Sequence, residues 1–202
     1  GKRFAVVGGS GGIGTAICRL IEEKGGIAIP LSRSTDWPLD LQSADSIERA
    51  FAQAGRLDGL INSAGLLHTG ELPQFSLSDI EAMLNVNLKG LILCCKAAEL
   101  KPGAHVINIA SSSFARGRKG LAVYSCAKAA VVNFTQALAE ERPDLFVHAV
   151  IPQRTRTSMR QMNFPQEDPS TLLEPEQVAE TVVHLLTDRS STGLLVEVRK
   201  PG

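Results

Sequence analysis

The sequence predicts an α/β fold: a doubly wound parallel sheet of about seven strands, covered by helices on both faces. Three observations predict it. Short β-branched runs alternate with longer stretches whose apolar residues recur at helical spacing. The length of 202 residues suits one substantial core. Neither repeats nor low-complexity linkers interrupt the alternation, and strands alternating with helices imply a parallel sheet with both faces covered.

In chain order, "RFAVVG" reads as a buried strand. "GIGTAICRLIEEKGG" reads as a helix stopped by Gly25–Gly26, and "IAIPLS" as a second strand. Only "SRSTDWP" separates that strand from a probable third near "LDL". A parallel crossover normally takes a dozen or more residues and a helix. Seven extended residues span roughly 23 Å, enough to return without one. The helix between strands 2 and 3 is therefore expected to be missing, with Trp37 helping to cover the exposed sheet face. "SADSIERAFAQAG" is a helix capped by Ser43, and "LDGLINSAG" a strand with a glycine-bearing exit. "SLSDIEAMLNVNLKGLILCCKAAEL" is a long helical region opened by Ser76, with Asp79 placed for a capping box. "HVINIAS" is a strand, "YSCAKAAVVNFTQALAEE" a helix and "LFVHAVIP" a strand. "EPEQVAETVVHLLTD" is a helix with Pro175 in its first turn, and "GLLVEVR" is the last strand.

Composition narrows the function. The 21 acidic and 21 basic residues cancel, so there is no basic surplus to suggest a nucleic-acid partner. No apolar run reaches membrane-spanning length. Cys18, Cys94, Cys95 and Cys126 form no CxxC pair and have no His at metal spacing, so free thiols, a reduced cytoplasmic protein and no metal site are expected. His68, His105, His148 and His184 read as surface or strand-edge residues.

Two motifs carry chemistry. In "VVGGSGGIG", Gly8 allows a tight turn, Gly12 lets backbone approach a pyrophosphate, and Gly14 lets the helix pack close to the sheet. The helix N-terminus that follows offers N–H groups and partial positive charge to phosphates. Tyr124 and Lys128, four residues apart, share one helix face. An ammonium beside a phenol favours the phenolate and is expected to lower the Tyr124 pKa. Tyr124 is the chain's only tyrosine, and Ser111 follows a strand whose C-terminal end should open on the ligand crevice.

In this order and spacing the chain closely resembles the short-chain dehydrogenase/reductase family, with its Rossmann-type sheet. The resemblance rests on Gly8, Gly12 and Gly14, "NSAG" at 62–65, "NVNLKG" with Asn87, and Ser111 thirteen positions before Tyr124. The Tyr124–Lys128 pair, and Pro152 with Thr157 five positions later, complete it. It implies one dinucleotide-binding catalytic domain over residues 1–202. The Gly at position 1 fits a domain cut from a larger polypeptide. Tyr124 would be the general acid in reduction, Lys128 would hold the nicotinamide ribose, Ser111 would bond the substrate oxygen, and Asn87 would position a relaying water. Thr157 and Pro152 would sit at the nicotinamide. Ser10 and Ile13 would line the pyrophosphate turn, and Asn62, Ala64 and Gly65 the adenosine side. Asp40 and Leu41 would meet the adenine. Gln153 replaces the family's usual glycine, and "RKPG" its closing Asp-Gly-Gly. The resemblance also implies a homodimer, or a tetramer, paired through the helix in "LILCCKAA" and the helix after Tyr124.

An NAD enzyme places an acid after the second strand. Here Ser32 and Arg33 stand there, so NADP(H) is expected, with Asp36 the competing group if the short crossover swings it inward. The lid "PQRTRTSMRQMNF" is similar to that of ribulose 5-phosphate reductase domains found beside pentitol-phosphate cytidylyltransferases. Its arginines can be solvated, touch cofactor phosphate, or bind an anionic substrate, with Arg154 and Arg160 the candidates for the last. The expected function is NADPH-dependent reduction of a small carbonyl, such as a phosphorylated ketose. The alternatives are a neutral ketone, an acyl-carrier 3-oxo substrate, or a non-catalytic NADP-binding sensor.

Overall fold

A computed structural model describes residues 1–200. Seven parallel strands form one sheet: β1 (Arg3–Val7), β2 (Ile27–Ser32), β3 (Trp37–Pro38), β4 (Leu57–Asn62), β5 (Leu100–Ile109), β6 (Phe146–Pro152) and β7 (Leu195–Val198). Their spatial order is β3-β2-β1-β4-β5-β6-β7. The chain reverses direction across the sheet between β1 and β4, and a crevice opens at the C-terminal ends of such a pair. Alternate residues of each strand feed opposite layers. On one face Phe4 and Val6 pack against Ile17 and Ile21 of α1 (Gly12–Glu23) and Val178 and Val182 of α7 (Pro175–Leu185). On the other, Ala5 and Val7 share a core with Ile47 and Phe51 of α2 (Ala44–Ala54).

Between β2 and β3 there is no helix; residues 33–36 form a tight turn. The Thr35 hydroxyl donates to Pro30 O at 2.6 Å and accepts from Ser32 N, which closes the turn locally. Trp37 is half-buried against the core that holds Ile29 and Leu31. The third strand falls at Trp37–Pro38, two residues before the expected "LDL". Pro38 has no N–H to donate, which an edge strand tolerates.

The helical region from Ser76 runs without a break over residues 77–97, as expected, but is not uniform. α3 (Leu77–Leu84) begins with the expected Ser76–Asp79 capping box, runs into a π-helical turn at Asn85–Lys89, and resumes as α4 (Gly90–Ala97). A Cβ on Gly90 would sit 2.8 Å from Leu41 O, so only glycine lets α4 lie against the segment after β3. α5 (Ala122–Glu141) follows, and a short α6 (Ser158–Asn163) stands above the crevice.

His105 and His148 are buried at 2% and 0% exposure, not at the surface as their sequence context suggested. They lie on neighbouring strands, remote from the crevice end. His105 Nε2 meets Asp188 O at 2.9 Å, while His148 Nε2 has no partner among the described residues. Burial, aided by the Arg189 and Lys2 charges at His105, lowers both pKa values below the ordinary 6.5. The folded chain therefore binds fewer protons than the unfolded chain once pH drops below 6.5. Stability is full above that pH and is lost as pH falls below it. The melting temperature is expected to fall between about pH 7 and pH 5, and His148→Gln to flatten that slope; an unchanged slope in the variant would show that other groups set it.

Candidate active site

The crevice begins at the loop between β1 and α1. Gly8 has φ +80°, and a Cβ there would lie 2.6 Å from Ala64 N. A Cβ on Gly14 would lie 2.1 Å from Gly8 O, so this position holds α1 tight to the loop. Gly12 faces the lid: its Cβ would meet Thr157 Cγ2 at 3.1 Å. Gly11 caps α1 with no side-chain hydrogen bond, and the first turn carries no acid. Its N–H groups and partial positive charge are thus available to an anion.

A cavity of about 670 Å³ extends from this turn. It is lined by Gly8, Ser10, Gly12, Ile13 and Gly14, by Ser32, Arg33, Asp40 and Leu41, and by Ala64, Gly65 and Thr157. Ser34 and Gln42 line it too, which no sequence motif indicated, as does Val86 of "NVNLKG". Asp36, the competing acid, is not in the lining. Asn62 is not there either. Its side chain is 2% exposed and donates to Asn108 Oδ1 at 2.9 Å, tying β4 to β5 beneath the crevice, while the following Ser63–Gly65 reach the cavity. A glycine cradle, an uncapped helix start and a cavity of this size fit a dinucleotide.

A second cavity of about 650 Å³ continues from the first through Ile13, Ser63, Ala64, Gly65, Thr157 and Met159. Ser111, Tyr124, Lys128 and Pro152 line it. Ser111 follows β5 by two residues in extended geometry, and its Oγ accepts from Ser113 Oγ at 3.1 Å. Ser113 is itself buried and orients Ser111, a contact invisible in sequence. Tyr124 lies in the first turn of α5 and Lys128 one turn later. Lys128 Nζ stands 5.6 Å from the Tyr124 ring centroid and donates to Ile109 O at 2.9 Å. Burial lowers the Lys128 pKa to about 8. Burial also raises the Tyr124 pKa, and the Ser111 hydroxyl and the Arg160 charge only partly offset it. The Tyr124 pKa thus moves opposite to the lowering expected from Lys128, because desolvation of the phenolate is the largest influence in so dry a site.

Asn87 sits in the π-helical turn at 1% exposure. Its Nδ2 donates to Leu66 O at 2.7 Å and Met83 O at 2.8 Å, and its Oδ1 accepts from Leu66 N at 3.2 Å. Every polar atom of this amide holds backbone, so its visible task is to fix the loop after β4. A Cβ on Gly65 would approach Asn87 Oδ1 at 3.3 Å and Lys128 Nζ at 4.0 Å, which places both residues behind that loop.

The lid runs from Pro152 to α6, with Thr157 Oγ1 capping α6 by accepting from Arg160 N. The acids absent from the arginine-rich segment arrive from further along the chain. Arg154 Nη1 and Arg160 Nε and Nη2 donate to the Glu167 carboxylate at 2.8, 2.6 and 2.8 Å. Arg156 pairs instead with Glu174. Arg160 also stacks on Phe164, 3.7 Å from the ring centroid. The two departures from the family pattern touch each other: Gln153 Oε1 accepts from Lys200 N at 3.2 Å, and Lys200 Nζ donates to the carbonyls of Ser170 and Leu172, between the lid and α7.

The family model described as "short chain dehydrogenase" matches residues 32–168, two thirds of the chain. The chain belongs to the short-chain dehydrogenase family. This short-chain dehydrogenase is 37% identical over 204 residues to a bifunctional ribulose 5-phosphate reductase/CDP-ribitol pyrophosphorylase of Haemophilus influenzae. The match covers 96% of this chain and 42% of that relative, so the chain spans less than half of its length. Among solved structures, a short-chain dehydrogenase/reductase from Brucella melitensis, titled glucose/ribitol dehydrogenase, superposes with TM-score 0.91 at 25% identity over 98% of this chain and 95% of that one. A short chain dehydrogenase from Burkholderia cenocepacia in complex with NADP gives TM-score 0.87 at 25% identity, covering 98% and 96%. The seven-stranded order of this short-chain dehydrogenase is thus the family's fold. No helix among its described residues is long and apolar enough to cross a membrane.

Proposed function

We propose that the chain is an NADPH-dependent reductase of a small phosphorylated ketone, such as ribulose 5-phosphate. One observation carries the reading. The lining of the second cavity holds Arg118, Lys119, Lys128, Arg154 and Arg160, and no Asp or Glu among the described residues. In a chain of zero net charge, five of the 21 basic residues line the cavity where a substrate would sit. Arginine forks suit a phosphate dianion, and binding the remote phosphate orients a small ketose for reaction. The Haemophilus relative, named for ribulose 5-phosphate reduction, supports the same substrate class.

NADPH, when bound, supplies the hydride. The α1 N-terminus would hold its pyrophosphate, Ser32 and Arg33 its adenosine phosphate, and Asp40 and Leu41 its adenine. Pro152 and Thr157 would border its nicotinamide, and Lys128 would reach its ribose. Tyr124, kept protonated by burial, gives its proton to the carbonyl oxygen of the substrate. Ser111 donates a hydrogen bond to that oxygen as charge builds there. Asn87 keeps the loop of Gly65 in place beside Lys128.

Cofactor choice tests the reading at its other end. With ribulose 5-phosphate as substrate, kcat/KM is expected to favour NADPH over NADH. Arg33→Ala should raise KM for NADPH about tenfold and leave that for NADH near its starting value, the loss expected for one exposed charge-assisted contact. A native preference for NADH would overturn the NADPH assignment. The NADP-bound Burkholderia neighbour supports the expected outcome.

A further inference from the structure

The five cations at the second cavity are not equivalent. Arg154 and Arg160 share Glu167, and Lys119 pairs with Glu71 at 3.2 Å. Lys128 is buried and donates to Ile109 O. Arg118 alone of the five meets neither a carboxylate nor a carbonyl through its side chain among the described residues, although it lines the same cavity as Ser111 and Tyr124. Its backbone is nevertheless fixed. Leu121 N donates to Arg118 O at 3.0 Å, and Gly120 between them has φ +78°, the pattern of a type II turn. Gly120 O in turn accepts from Gly70 N at 3.1 Å, which pins the turn to the loop before α3. The turn leads directly into α5, so Arg118 is set six residues before Tyr124, in the loop just ahead of that helix. An exposed arginine on an anchored backbone, lining a cleft without acids and lacking a counter-charge among the described residues, can turn its guanidinium N–H donors to an anion.

We infer that Arg118 is a specificity-determining residue of this site: it binds the phosphate of the substrate from the loop between β5 and α5, independently of the lid. The inference rests on the proposed reduction of a phosphorylated ketone and assigns its anion contact to a residue outside the lid arginines. Glu167 leaves the lid pair with one net positive charge, whereas Arg118 keeps its full charge for the ligand. Arg116, two residues earlier, is exposed and outside the lining, and so serves as the control.

The test compares reduction of D-ribulose 5-phosphate and of D-ribulose by the wild type, R118A, R118K and R116A. R118A is expected to lower kcat/KM for the phosphate ester about 10- to 100-fold, mainly through KM, as loss of one charged contact implies. The preference for the ester over D-ribulose should shrink by the same factor. R118K should restore part of the affinity, and R116A should match the wild type. Binding is read separately by calorimetric titration of inorganic phosphate into protein saturated with NADP⁺, where R118A should bind several-fold more weakly. A wild-type preference for the ester that R118A leaves intact, with unchanged phosphate affinity, overturns the role of Arg118 and leaves the proposed function standing. Absence of any wild-type preference for the ester overturns both.

Discussion

Tyr124→Phe is expected to lower kcat for carbonyl reduction by about 10²- to 10⁴-fold, the range for loss of a positioned general acid, and to leave NADPH affinity within a few fold. The variant removes one oxygen and preserves the ring that packs with Leu67, Met83 and Val123. The cofactor cradle, built from the β1–α1 loop, does not depend on that oxygen. Stopped-flow turnover and fluorescence titration of NADPH separate the two effects; equal loss of binding and turnover would make Tyr124 a structural residue. The same site predicts a pH profile. A phenol whose pKa is raised by burial stays protonated through neutral pH, so Tyr124 imposes no fall there. Lys128 loses its charge as pH rises through about 8. In reduction, kcat/KM, which reports groups of the free enzyme, should therefore hold at neutral pH and fall above that value. A profile flat to well above it would show that the charge on Lys128 is dispensable.

Arg160→Ala is expected to cost about 2–4 kcal/mol in kcat/KM for a phosphorylated ketone, about 30- to 900-fold, as for a largely desolvated charged contact. Its side chain is 20% exposed, against 53% for Arg154, so Arg154→Ala should cost less. Arg160 joins three features: the Glu167 fork, the Phe164 ring and the field at Tyr124. Arg160→Lys should recover little, since an ammonium cannot form the fork or stack on the ring in the same way. A thermal melt on the same variant separates lid collapse from lost recognition. Full activity of both alanine variants would mean that the arginines serve only to fasten the lid to Glu167.

Some of this was legible without coordinates. Gly8 and Gly14 could be placed because a turn with φ +80° and a helix packed onto a carbonyl admit no Cβ, and that constraint is local. Tyr124 and Lys128 could be paired because a helix puts i and i+4 on one face. The absent helix between β2 and β3 followed from counting residues against the reach of an extended chain. These are properties of short stretches of backbone, so the order of residues determines them.

What tertiary structure decided depends on groups distant in sequence and on the exclusion of water. The segment 151–160 contains no acid, and nothing in it announces that Glu167 and Glu174 fold back to meet its arginines. Helical spacing could place Lys128 beside Tyr124, but the sign of the Tyr124 shift depended on how much water reached the pair, and burial won. Asn62, expected on the adenosine side, and Asn87, expected beside a relaying water, direct their side-chain amides to β5 and to the loop after β4, partners that lie far away in sequence. Among the described residues Arg118 likewise stands apart only because the other four cations of the second cavity have found partners. Local periodicity determined which elements form and which residues lie at their ends; charge balance and dielectric, which sum over the whole assembled crevice, were decided only by the fold.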